Sequence, residues 1–178
     1  PTTAHAGTSP KNLRVTTVGD ELRLASGFQS KVLSLSVKDR GAMLTGGKLG
    51  TSYWYSGSTG RFVTSTYYRH GYPGWWKEFH AGSPQDAWFG KRWEPLLPPA
   101  AYARSAADDR PYHTDYKGLG RRFPHPLTGG LAAPGPDYYA ALAWTPFGDE
   151  YLLAFAKAAV QGENLGRNPA GVPDLLAV

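Results

Sequence analysis

The feature that most constrains this chain is a short apolar run that ends abruptly in charge. Val32 to Val37 reads Val-Leu-Ser-Leu-Ser-Val, with Gly27 upstream and Gly41 downstream. It contains β-branched residues and is too short for a typical helix, so it reads as a buried strand of an α/β sheet. Lys38, Asp39 and Arg40 follow at once. That places them at the C-terminal end of a strand, where open α/β sheets bind their ligands. If the backbone stays extended, Lys38 and Arg40 point to one side and Asp39 to the other. Two cations then converge, one a compact ammonium and one a planar fork, a pair suited to a phosphoryl group. The same three residues also fit an ordinary solvated strand end, which composition alone favours.

The rest of the composition sets wide bounds. A chain of 178 residues with 41% hydrophobic content can bury one real core. A net charge of +5 permits an anionic ligand without requiring one. The Lys and Arg residues are scattered, with no basic run, so nucleic acid is not an expected partner. No cysteine is present, which excludes disulfides and thiolate metal sites and leaves the compartment open. No segment approaches the ~18 apolar residues of a membrane span. The first residues lack a signal-peptide pattern and an initiator Met, and Asp174 to Val178 reads as a strand at the very end. Both ends suggest a piece of a longer protein.

Local signals place the elements. Pro1 to Pro10 reads as loop. Thr17 and Asp20 form a capping box that opens a helix near 17–26, with Val18, Leu22 and Ala25 at helical spacing and Gly27 as C-terminal cap. Gly41 to Gly47 reads as a turn or short helix followed by a loop. A hairpin follows, with strands at 52–55 and 61–68 around Gly57-Ser58-Thr59-Gly60. Its aromatic residues suit cross-strand packing better than a sugar- or base-stacking platform. Pro73 opens a helix through Trp75, Trp76, Phe79 and His80, and a second short helix follows Pro84. From Trp93 to Pro136 eight prolines break the pattern, and the segment reads as an irregular insertion or lid. Thr145 and Pro146 then start a helix to about Gln161 whose apolar face is Phe147, Tyr151, Phe155 and Ala159. Val172 to Val178 reads as the next strand.

Several chemistries are missing. His5, His70, His80, His113 and His125 show no metal-ligand spacing, so no zinc site is expected wholly within the chain. Asp108-Asp109 reads as a solvated pair. Neither a GxSxG elbow nor a P-loop occurs.

The ordered motifs nevertheless have a familiar look. Ser9-Pro10-Lys11-Asn12-Leu13, Thr17-Val18-Gly19-Asp20-Glu21-Leu22, Ser30-Lys31-Val32 and Lys38-Asp39-Arg40-Gly41-Ala42 resemble the alkaline phosphatase superfamily. The likeness continues through Tyr53-Trp54-Tyr55, Phe62 to Tyr68, Phe123-Pro124-His125 and Thr145-Pro146-Phe147-Gly148. It closes with Ala156 to Ala159, Glu163 to Gly166 and Asp174 to Val178. It is strongest to the threonine-nucleophile enzymes of the bacterial periplasm, which are related to nucleotide pyrophosphatases and phosphodiesterases.

The resemblance implies a partial alkaline-phosphatase-like α/β sandwich, a mainly parallel sheet flanked by helices with a Pro/Gly-rich aromatic insertion. Residues 1–68 and 144–178 would form the core and 69–143 the insertion. It implies a phosphate monoesterase with a Thr nucleophile and two zinc ions, acting on small phosphate esters in the periplasm or outside the cell. The Lys-x-Arg step that binds the non-bridging oxygens carries over onto Lys38 and Arg40. The nucleophile and the zinc ligands would lie outside this chain, leaving the isolated chain inactive. Lys48 after Gly46-Gly47 and Ser56 after Tyr53-Trp54-Tyr55 depart from the family pattern and leave substrate preference open. A phosphodiesterase of the same superfamily is the first alternative, and a non-catalytic glycan- or protein-binding module is the second.

Overall fold

The computed structural model describes residues 8–178. The loop read over 1–10 lies mostly outside the described residues, as does His5, and Pro10 opens a 3-10 turn over Pro10–Asn12. The first helix, α1, is Val18–Ala25, and its capping box forms in full. Asp20 N–H donates to Thr17 Oγ1 at 3.2 Å, and Thr17 N–H donates to Asp20 Oδ2 at 3.0 Å. The helix ends where Gly27 and Phe28 take positive φ, and Phe28 N–H reaches back to Arg23 O at 2.6 Å. Its packing face is not the apolar one read from spacing. Val18 is 79% exposed, whereas Gly19 and Asp20 are buried. Gly19 lies so close to Val32 that a Cβ there would collide with it. The contact with the sheet therefore runs through the smallest residue of the helix and through the capping carboxylate. Asp20 also accepts Leu49 N–H at 2.7 Å and so pins a distant loop.

Strand β1, Val32–Ser36, is central and buried along most of its length. It is followed by α2, Asp39–Gly46, with Lys38 as N-cap. Strands β2, Thr51–Ser56, and β3, Arg61–Val63, form the expected hairpin. The second strand stops at Val63, well short of Tyr68, because Ser65–Tyr68 closes a turn. Helix α3 is Gly74–Ala81, with Pro73 as its N-cap, and the short helix after Pro84 is a 3-10 turn, Pro84–Trp88.

The segment 93–136 is less irregular than its prolines suggest. Strands β4, Arg92–Trp93, and β5, His125–Pro126, pair antiparallel across it. A helix missed by the sequence reading, α4, spans Pro136–Leu142. Tyr138, Ala141 and Leu142 of α4 meet Leu119 and Leu127 in a small hydrophobic core of their own. Asp108 and Asp109 are not merely solvated. Asp109 pairs with Arg121 at 2.9 Å, and Asp108 accepts Phe123 N–H at 2.7 Å.

Helix α5, Pro146–Gly162, presents the predicted face, with Tyr151, Phe155 and Ala159 buried and Phe147 half-buried. Thr145 is its N-cap, but its hydroxyl does not cap the helix and instead donates to Leu142 O at 2.8 Å. Strand β6, Leu175–Ala177, pairs parallel with β1.

The sheet order is β3-β2-β1-β6, with β1 parallel to both its neighbours and β2 antiparallel to β3. The alternation of β1 sends Leu33 and Leu35 into an aromatic core with Tyr53, Tyr55, Phe62 and Phe155. Phe62 and Phe155 stack at 4.1 Å between centroids, and Tyr55 and Phe62 meet across the hairpin at 5.8 Å. Large rings in such a core each stabilise the fold by about 1.5–3 kcal/mol through burial alone. On the opposite face Ser34 meets Thr45 of α2 through a hydroxyl pair. With α2 on one face and α3 and α5 on the other, the C-terminal ends of β1 and β2 form an exposed crest.

Candidate functional site

A cavity of about 820 Å³ opens at that crest. Val37, Lys38 and Asp39 enter it from the end of β1, and Trp54, Tyr55 and Ser56 from the end of β2. Val63 at the end of β3, residues 64–66 after it and Tyr72 line it too, together with Ala143, Trp144 and Asp149 around the start of α5. Tyr116, from the Pro-rich segment between β4 and β5, reaches the same cavity. Polar and charged groups thus share a pocket with aromatic walls, the usual make-up of a small-molecule site.

The backbone at the crest differs from the extended path expected. The strand ends at Ser36, whose Oγ accepts Lys38 N–H at 3.1 Å, and the helix begins at Asp39. Asp39 fills the first helical position, and its Oδ1 accepts Arg40 N–H at 2.7 Å. A strand would carry Lys38 and Arg40 to one side. A helical start rotates each residue by about 100° and separates them. Lys38 accordingly lines the cavity, while Arg40 stands exposed on α2 outside the lining. Asp39, expected on the far side, lines the cavity with Lys38. The physical reason is the early helix start, favoured by an acid in the first turn and by Ala42 and Met43 packing inward. The helix start also brings the positive end of the α2 dipole to the crest, which favours an anion there.

Lys38 Nζ lies 5.4 Å from the centroid of the Trp144 ring, within cation–π range. Tyr116 stands 5.4 Å from the same indole on an inclined plane. Trp144, Tyr116 and Asp149 were not foreseen as site residues. Single aromatic residues beside a turn have no periodic signature, and Asp149 reads simply as a first-turn helix acid. Ser56 lines the cavity, with its Oγ 3.1 Å from Ser58 Oγ.

Among the described residues no three His, Asp or Glu side chains converge as a metal-binding group. These residues therefore do not fit a metal ion by themselves. No helix among them is long and apolar enough to cross a membrane.

No protein-family profile matches the chain. Individual proteins do. Alkaline phosphatase PhoV of Synechococcus elongatus is 44% identical over 172 residues, which is 96% of this chain and 30% of that protein. A crystal structure of alkaline phosphatase PafA aligns with a TM-score of 0.73 at 34% identity, covering 96% of this chain and 32% of that one. The chain is alkaline-phosphatase-like. It spans about a third of the length of the relatives it matches. A calcium-transporting ATPase of Myroides odoratus is similar to the same extent, 41% identical over 96% of this chain and 31% of its own length. The alkaline-phosphatase-like region accordingly comprises both the sheet with its helices and the Pro-rich segment between α3 and α5.

Proposed function

We propose that this chain supplies the phosphate-binding part of a zinc-dependent alkaline phosphatase that hydrolyses phosphate monoesters through a phosphothreonine intermediate. In this reading the nucleophile and the zinc ligands belong to other parts of the full-length protein, which works in the periplasm or outside the cell. Residues 1–68 and 144–178 serve as core, and 69–143 as an insertion over it. One observation carries the reading: in an alkaline-phosphatase-like chain, Lys38 enters a polar and aromatic cavity at the C-terminal end of the central strand.

The chemistry asked of these residues is electrostatic. A phosphate monoester carries two negative charges on its terminal oxygens, and a diester carries one plus a bulky group. Lys38 offers an ammonium and the dipole of α2 a second positive field. Arg40 is long and exposed on the same helix and would bring a planar fork to the oxygens from the α2 side. A crystallised PafA variant supports this pairing, since it carries substitutions at a lysine and an arginine two positions apart, the spacing of Lys38 and Arg40.

The test uses the full-length protein with metal content checked. Lys38→Ala and Arg40→Ala should each lower kcat/KM for an aryl phosphate monoester by on the order of 10²-fold, the scale of losing one charged donor. Turnover of the matching diester should fall much less. Equal losses on both substrates, or no loss on either, would remove the pair from the site.

A further inference from the structure

Lys38 is held in an unusual way. It takes part in none of the ion pairs among the described residues, although two carboxylates, Asp39 and Asp149, line the same cavity. One Asp39 oxygen is engaged by Arg40 N–H. The ammonium instead lies over the indole of Trp144. That indole is 59% exposed, whereas Trp76 of α3 is buried in the core. The ring thus stands on the rim of the cavity and not in the core, where its face can meet a cation.

Its backbone is anchored. The main-chain N–H of Trp144 donates to Ala141 O at 2.9 Å, closing α4, and the next residue, Thr145, is buried with its hydroxyl on Leu142 O. Tyr116 braces the ring, its centroid 5.4 Å from that of Trp144. Only three residues separate Trp144 from the buried Gly148 of α5.

We propose that Trp144 is a positioning residue for Lys38, an inference that rests on the phosphate role of Lys38 proposed above. A lysine side chain has four rotatable bonds and wanders unless held. A carboxylate would hold it, but would also set a negative charge where a phosphoryl group must approach. The indole face attracts the ammonium without adding net charge, and it engages one side only. An ammonium has three N–H donors, so those pointing away from the ring remain available to phosphoryl oxygens. The contact persists when phosphate binds, and the side chain has less freedom left to lose.

The test is a double-mutant cycle in the full-length protein, read by competitive inhibition with inorganic phosphate and by kcat/KM for a monoester. Trp144→Ala should weaken phosphate binding roughly 3- to 10-fold, the size of freeing one long side chain. Trp144→Phe, which keeps a ring, should recover most of that loss. In the Lys38→Ala background, Trp144→Ala should cost nothing further. The melting temperature of each variant is measured alongside, and an unchanged value separates the effect from misfolding. Equal losses in both backgrounds would overturn the inference while leaving the phosphate role of Lys38 intact. Phosphate binding unaffected by Lys38→Ala would overturn the phosphate role, and the positioning role with it.

Discussion

Gly162 lies directly against the indole of Trp75, leaving no room for a Cβ between them. The two residues join the last turn of α5 to α3, and Trp75 Nε1 extends the contact by donating to Glu163 Oε1 at 3.0 Å. Glu163 also pairs with Arg69 at 2.7 Å. The C-terminal end of α5 is thus seated by a missing side chain and by one carboxylate serving two donors.

A methyl group at this position must displace the indole ring or the helix. Gly162→Ala should therefore destabilise the protein by about 1–3 kcal/mol, the range for overpacking, despite the better helix propensity of alanine. Urea denaturation compares the variant with wild type. The cost should shrink markedly when Trp75→Leu is added, because the obstructing ring is gone.

His80 gives the fold an acid limit. Its ring is buried, with Nδ1 donating to Trp76 O at 2.9 Å and Nε2 accepting Phe62 N–H at 3.2 Å. Burial, opposed by the bond to Trp76 and assisted by Arg61, lowers its pKa to about 4. The unfolded chain binds this proton near pH 6.5 and the folded one only near pH 4. Stability from this group is complete above pH 6.5 and declines as the pH falls toward 4. The loss should be about 3 kcal/mol over that window. His80→Gln, which can still accept Phe62 N–H, should flatten the slope of unfolding free energy against pH. An unchanged slope would refute this assignment.

Asp20 should matter more than its helix cap alone suggests. Thr17→Ala removes one cap bond and should cost about 1 kcal/mol. Asp20→Ala removes the reciprocal bond and also strands the Leu49 N–H at a part-buried site. The expected cost is about 2–4 kcal/mol, combining a lost cap with an unsatisfied donor. Thermal unfolding of the two variants side by side distinguishes the roles.

How much of this was legible in the sequence follows from the range of the forces involved. The Thr17–Asp20 box and the Tyr151–Phe155–Ala159 face are set within a few residues, and both were readable. The C-terminal cap at Gly27 was readable for the same reason. Helix α4 was masked by the surrounding prolines, although Pro136 at its start and the Tyr138–Ala141–Leu142 spacing carried a local signal. The direction of Lys38 and Arg40 depended on whether the backbone stayed extended, which Asp39 and the burial of Ala42 and Met43 decided together. The packing of α1 through Gly19 depended on the position of Val32, which no local pattern reveals. The union of Lys38 with Trp144 and Tyr116 required elements far apart in the chain to fold over one crest.

One further consequence lies in Phe62 on the outermost strand. Its N–H is taken by His80, and its carbonyl accepts Trp76 Nε1–H at 2.7 Å. Both main-chain groups that face away from β2 are therefore occupied by side chains of α3. At this residue the border of the sheet offers no template on which another chain could lengthen it. Protonating His80 converts its accepting nitrogen into a second donor, and the Phe62 N–H loses its partner. Acid therefore leaves this one main-chain donor of the edge strand unsatisfied, while its carbonyl stays capped by Trp76.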